Sequence, residues 1–233
     1  MIAYIPARGG SKRLPRKNVL SLGGKPTLLH VIRALKKLSF IEAVCVSTDD
    51  PSIARIAEKA GCCVLGLRHP RLADDHTDFK TLFAEDLPRY LKYFSIKPSE
   101  AEVLFVLATA ALVPSLVYQK AYQAYRRRKA NVLVSVRPCP VSPFKALVQN
   151  KKGVFSPLFP EKITSRSQDL PEAFVDAGLF YFLNYAVASK EKRHWFLVPK
   201  GLFLYPVDES IAIDLDTPKD WESLKRAYQS LRK

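Results

Sequence analysis

The sequence lacks the long apolar run that a bilayer crossing needs, and nothing in it approaches the ~20 consecutive apolar positions of a spanning helix. Strand-like sequence starts at Ile2 and leaves no room for a secretory leader, so the expected compartment is cytoplasmic. Cysteine is scarce: Cys45, Cys62, Cys63 and Cys139 show neither metal-ligand nor redox spacing. Adjacent Cys62 and Cys63 face opposite sides of any strand that contains them, which makes them poor disulfide partners and leaves reduced core thiols as the expectation. His30, His69, His76 and His194 are scattered and form no zinc pattern. A P-loop is missing, and so is GxGxxG, because Gly9 and Gly10 are adjacent. These absences exclude a helical membrane protein, a zinc domain, a disulfide scaffold and the two commonest phosphate motifs.

Acidic residues are also few. The chain of 233 residues has 22 Asp and Glu against 37 Lys and Arg, a formal charge of +15. With 48% hydrophobic and 25% charged residues it reads as an ordinary soluble globule, long enough for one large α/β domain or two small ones. The charge permits nucleic acid, an anionic membrane or a polyanionic small molecule as partner. The densest cluster, Arg126 to Lys129, ends a helical stretch, where cations suit the macrodipole, and no aromatic platform for RNA accompanies it. A nucleic-acid partner is therefore not expected, and a small polyanion is.

What is present is concentrated at the start. Ile2 to Ile5 form an apolar run suited to a buried parallel strand, and Pro6 ends it. The loop that follows holds Gly9, Gly10 and Ser11 together with Arg8, Lys12, Arg13, Arg16 and Lys17. Glycines let the backbone approach a ligand so that N–H groups point at phosphate oxygens, and the cations supply a field that favours a triphosphate. Asn18 adds a donor and an acceptor suited to a base or a sugar hydroxyl. A solvated basic loop is the alternative, but the loop lies just past a first strand, where open α/β sheets bind ligands.

Strand and helix signals then alternate. Pro26 opens a helix, Ala43 to Val46 reads as a strand, Pro51 starts a helix after the capping Asp50, and Cys62 to Leu65 reads as a third strand. A helix over Phe79 to Phe94, strands at Val103 to Leu107, Asn131 to Val136 and Leu202 to Val207, and a last helix after Pro218 complete a βαβ rhythm. The expected fold is α/β and Rossmann-like, with a mostly parallel sheet, helices on both faces and a single domain over 1–233. Residues 148 to 172, weakly periodic and proline-rich, read as an excursion from the sheet. Small residues Ala108-Thr109-Ala110 at a strand end leave space for a ligand or for close helix packing. Asp214 and Asp216 alternate with apolar residues, so both carboxylates leave an extended segment on one face.

The pattern Ala7-Arg8, Ser11-Lys12, Pro15 and Lys17-Asn18 resembles the opening motif of the sugar-acid cytidylyltransferases, which activate nine-carbon and related acids as CMP-sugars. Arg68 with Leu72-Ala73-Asp74-Asp75, and Pro140 with Lys145, are similar to later segments of that family. The stretch from Arg166 to Tyr181 looks like the pseudaminic acid branch, from which Leu179 and Phe182 depart, because glutamine and tryptophan are usual there. The resemblance implies CMP transfer from CTP to a nonulosonic acid, most simply pseudaminic acid, with N-acetylneuraminic acid, legionaminic acid or Kdo as alternatives. From another class, a non-catalytic basic nucleotide- or RNA-binding relative is the rival. The roles implied are Arg8, Gly10, Ser11, Lys12 and Lys17 on the triphosphate; Asn18 and Arg68 on cytidine; and Thr109, Lys145, Arg166 and Tyr181 on the acid. Arg8, Lys17, Lys145 and Asp216 would be catalytic, and Asp214 and Asp216 would hold Mg²⁺. A homodimer joined through the 148–172 excursion is implied as well.

Overall fold

A computed structural model describes residues 1–191 and 193–231. Its centre is a six-stranded sheet in the order β10-β6-β9-β5-β1-β4. These strands are β1 (Ile2–Pro6), β4 (Ala43–Ser47), β5 (Glu102–Val106), β6 (Val132–Pro138), β9 (Phe174–Asn184) and β10 (Leu202–Pro206). The pairs β1 with β4, β1 with β5 and β6 with β10 are parallel, whereas β9 runs antiparallel between β5 and β6. Short hairpins flank the sheet: β2 (Ser21–Leu22) with β3 (Lys25–Pro26), and β7 (Leu147–Gln149) with β8 (Phe155–Pro157).

Helices cover both faces. On one side α1 (Thr27–Leu35), α2 (Pro51–Lys59), α5 (Ser115–Arg127) and α7 (Pro218–Ser230) pack Leu28, Val31, Ile53, Tyr118, Tyr125 and Leu224 against Ile5, Val46 and Leu104. On the other side α3 (Phe79–Glu85), α4 (Leu87–Tyr93) and α6 (Tyr185–Ala188) set Phe83, Leu87, Tyr90 and Tyr185 against Tyr4, Phe105 and Tyr181. Sheets buried on both faces need strands that are apolar throughout, which is how β1, β4 and β5 read.

The structure corrects the sequence reading in several places. Cys62 to Leu65 is not a strand: only the Cys45–Cys63 bridge forms, because Gly61 and Gly66, both with positive φ, turn the chain on either side. The helix expected over Phe79 to Phe94 is two helices, α3 and α4. Pro88 lacks an N–H and its ring conflicts with the carbonyl of Ala84, so the run breaks at Asp86. That break is stabilised inside the core, where the fully buried Asp86 carboxylate accepts the Tyr4 hydroxyl at 2.6 Å and Arg89 Nη1 at 2.9 Å. β6 runs on to Pro138, and Phe174–Asn184 forms a further strand, β9, that no expected element covers. Only Cys45 and Cys62 of the four free cysteines are core residues; burial pushes the Cys62 thiol up to about 11.

Candidate active site

The parallel strands β1, β4 and β5 all end at the same edge of the sheet, and a cleft of about 440 Å³ opens there. Pro6 and Arg8 follow β1, Leu107 to Thr109 follow β5, and Asp176, Gly178 and Tyr181 lie on β9 where it enters from that edge. Asp214 and Asp216 close the remaining side, with Arg13, Lys17, Asn18 and Arg68.

The basic loop is folded onto acids rather than splayed into water. Arg13 Nη2 and Lys17 Nζ each lie 2.7 Å from an oxygen of Asp216, which joins the two ends of the chain across the cleft. Arg8 sits 2.7 Å and Lys12 2.6 Å from Asp75, and these two cations hold the Asp75 carboxyl below its usual range. Asn18 is buried and donates from its side chain to the Arg8 carbonyl at 2.8 Å, and Thr27 Oγ1 donates to the Lys17 carbonyl at 2.9 Å. These bonds fix the turn around Arg16, whose φ is 55°. Gly9 donates its N–H to Asp49 at 2.9 Å, and a Cβ there would come within 2.7 Å of Asp50. Glycine is thus required at that point by close packing.

Arg68 is the unusual cation. Its side chain is 2% exposed, its nearest acid is Asp49 at 3.9 Å, and its Nε and Nη1 have no hydrogen-bond partner. A buried guanidinium without partners is costly, and here it lines a cleft from which a ligand acceptor can reach it.

The opposite wall is acidic. Asp216 is held by the start of α7, where Thr217 and Asp220 form a reciprocal capping box and the Asp216 N–H donates to Asp220 at 3.2 Å. The helix cap therefore orients Asp216 and leaves its carboxylate for the cleft, so the capping and site readings of this segment hold together. Leu215 between the two aspartates is fully buried, which places Asp214 and Asp216 on one side as the alternation requires. Asp214 opens onto the cleft, yet the protein packed around it, and then the Asp216 charge, push its carboxyl above the ordinary range, with Lys17 offsetting part of this. Asp176 accepts the Gly178 N–H at 2.9 Å and the Tyr181 hydroxyl at 2.6 Å. Burial, then the Asp176 charge, raise the Tyr181 phenol, so it stays a donor.

Of the residues singled out from sequence, Arg8, Lys17, Asn18, Arg68, Thr109, Tyr181, Asp214 and Asp216 meet at this cleft. Lys12 joins through Asp75, while Gly10 and Ser11 lie on the outer turn and do not line it. Lys145 and Arg166 are not brought to the cleft of their own chain. Lys145 lies in the turn Pro143–Lys145, and Arg166, 74% exposed, pairs with Asp169 at 2.7 Å. Leu179 is fully buried in the core, so in this chain the departure from the branch pattern does not face the cleft. From sequence, Arg13 counts only as one of the loop's cations and Asp75 only as part of a family-like segment, and Asp49 and Asp176 have no role. For Asp75 a signal existed: an acid in an acid-poor chain, in a loop already paired with the basic one by motif.

Comparison with known proteins gives the family. A family model described as cytidylyltransferase matches residues 2–92. Over 229 residues the chain is 31% identical to the pseudaminic acid cytidylyltransferase of Campylobacter jejuni, covering 98% of this chain and 96% of that one. It is 33% identical over 228 residues to the CMP-N,N'-diacetyllegionaminic acid synthase of Legionella pneumophila, covering 95% and 93%. A solved CMP:2-keto-3-deoxy-manno-octonic acid synthetase, complexed with CTP, superimposes with a TM-score of 0.68 over 99% of this chain and 98% of that one, and at 16% identity this shows a shared fold. The chain belongs to the cytidylyltransferase family.

Proposed function

We propose that the protein transfers CMP from CTP to the anomeric hydroxyl of a nonulosonic acid, releasing pyrophosphate, and that pseudaminic acid is the preferred acid. The observation that carries this is the pairing of Lys17 and Arg13 with Asp216, which sets a cationic cradle and an acidic pair on one cleft. Arg8, Lys12, Arg13 and Lys17 exchange carboxylate partners for phosphate oxygens when the nucleotide enters, and they stabilise the charge that develops on leaving pyrophosphate. Arg68 supplies its unpartnered nitrogens to the cytidine half, and Asn18 keeps the loop in register beside it. Positioning of the attacking hydroxyl in line with the α-phosphorus supplies much of the acceleration.

Magnesium fits the acidic wall. Asp214 has no cation within ion-pair distance among the described residues and is disfavoured in its charged form, and two carboxylates plus substrate oxygens suit this ion. No cluster of three protein ligands occurs among the described residues, so Asp214 and Asp216 would hold the ion together with phosphate oxygens. What the ion supplies when bound is a lowered effective pKa for the attacking hydroxyl and charge compensation on phosphate.

Lys145 and Arg166 retain a role in this reading through a second copy of the chain. The β7–β8 hairpin and its flanks expose Leu147, Val154, Phe155 and Leu158, an apolar surface that a homodimer would cover while carrying Lys145 and Arg166 towards the partner's cleft. CTP as co-substrate fits a cytoplasmic setting, and no helix among the described residues is long and apolar enough to cross a membrane.

A panel of pseudaminic, N-acetylneuraminic, legionaminic and 3-deoxy-octulosonic acids with CTP, read as pyrophosphate release, tests the assignment. Release should be fastest with pseudaminic acid. A higher rate with another acid moves the substrate, and no release with any of them removes the activity.

A further inference from the structure

We infer that Asp176 is a specificity-determining residue: a fixed hydrogen-bond acceptor that reads an N–H or O–H donor on the sugar acid. The inference rests on the transfer reaction proposed above and concerns the acid's side of the same cleft.

Val136 of β6 pairs with Asp176 of β9, and the next pair upstream on β6 is Val134 with Tyr181. Between these pairs Ser135 alone stands opposite four residues, Ala177 to Phe180, so β9 bulges between Asp176 and Tyr181. In a regular strand, positions an odd number apart face opposite sides of the sheet. The bulge cancels that rule, and Gly178, with φ at 62°, supplies the conformation it needs. The result is a clamp in which Tyr181 Oη donates to one Asp176 oxygen and Gly178 N–H to the other. Asp214 seats against the same glycine, where a Cβ would come within 3.1 Å of its Cγ. The bulge therefore orders Asp176, Tyr181 and Asp214 together.

Charge then decides what Asp176 meets. Arg8 and Lys12 are taken by Asp75, and Arg13 and Lys17 by Asp216. Asp176 has no cation within ion-pair distance among the described residues. An ionised carboxylate offers about four acceptor positions, and the clamp uses one on each oxygen, leaving about two directed to the cleft. Arg68, almost wholly buried with two unpartnered nitrogens, shows independently that the cleft is built for a ligand. Every substrate of the proposed reaction is an anion, and a phosphate or carboxylate group placed on Asp176 would be repelled. With magnesium assigned above to Asp214 and Asp216, the group left to face Asp176 is a neutral donor, which the acid has in its hydroxyl and amide groups. The nucleotide is drawn to the cations on the other wall, so Asp176 acts on the acid and not on CTP.

The test is steady-state kinetics of Asp176→Asn, which keeps size and an oxygen for Tyr181 but turns one acceptor into a donor. KM for the acid should rise about tenfold or more, because a site built around a donor discriminates strongly when that pairing is lost, while KM for CTP stays within about twofold. Tyr181→Phe releases the clamp and should raise the same KM by a smaller factor. Two acids separate the donors: if an acetamido N–H is read, Asp176→Asn loses the preference for a diacetamido nonulosonic acid over the nitrogen-free 3-deoxy-octulosonic acid, whereas equal losses on both identify a hydroxyl. An unchanged KM for the acid, or an equal rise for both substrates, overturns the inference while the activity stands. Wild-type protein that turns over no acid overturns both.

Discussion

The loop after β1 and the excursion after β6 carry family motifs of similar quality, yet the fold treats them differently. The loop is pinned by Asp49, Asp75 and Asp216 and by buried Asn18, so its cations have defined positions in a single chain. The excursion is joined to the body by little besides β6 and β9, exposes Phe155 and Val154, and leaves Lys145 and Arg166 away from the cleft. The loop's motif residues are held by the rest of their own chain, whereas for Lys145 and Arg166 the geometry would come from the second copy proposed above.

The largest effect that tests this contrast is expected from Asp216→Asn. Loss of this carboxylate should lower pyrophosphate release about a thousandfold or more with the circular dichroism spectrum unchanged, and full activity would remove Asp216 from the site. Mixing that variant with Lys145→Ala sharpens the contrast. If Lys145 serves the partner's cleft, mixed dimers regain one working site, and activity returns to about a quarter of the wild-type value from two inactive parents. No recovery would place Lys145 outside the reaction or inside its own cleft. A smaller effect is expected from Lys17→Ala, which removes one charged contact; calorimetry should show CTP binding weakened about tenfold or more, and an unchanged affinity would return the loop to a solvated surface. The smallest concerns stability. The folded protein raises the Asp214 carboxyl above its unfolded value, so its contribution is favourable at low pH and is lost as pH rises through the folded value. Asp214→Asn should therefore raise the melting temperature at neutral pH, by only about 2 °C because the group opens onto solvent, while impairing turnover; a lower melting temperature contradicts the burial argument.

Legibility in the sequence followed locality. β1, β4 and α2 were readable because an apolar run, the capping Asp50 and Pro51 all act within a few residues. The cations of the first loop stood out against a chain poor in partners, and Asp214 and Asp216 through alternation beside a capping signal. What depends on distant chain was hidden. Gly61 and Gly66 are visible beside Cys62 to Leu65, but that its pairing with β4 stops at the one Cys45–Cys63 bridge depends on the distant strand, and β9 is apolar on both faces with its alternation broken by the bulge. The Asp176–Tyr181 clamp needs the pairing with β6 before it exists, so no spacing rule reveals it.

The placement of β9 has one more consequence. The strands β4, β1 and β5 on one side, and β6 and β10 on the other, share no ladder with each other; β9 alone is bonded to both. In chain order it follows β6 and the excursion and precedes β10, whereas in the sheet it stands between the two halves. The wall that carries Asp176 and Tyr181 is therefore the keystone of the sheet, and a molecule in which the halves have locked together already has that wall in place.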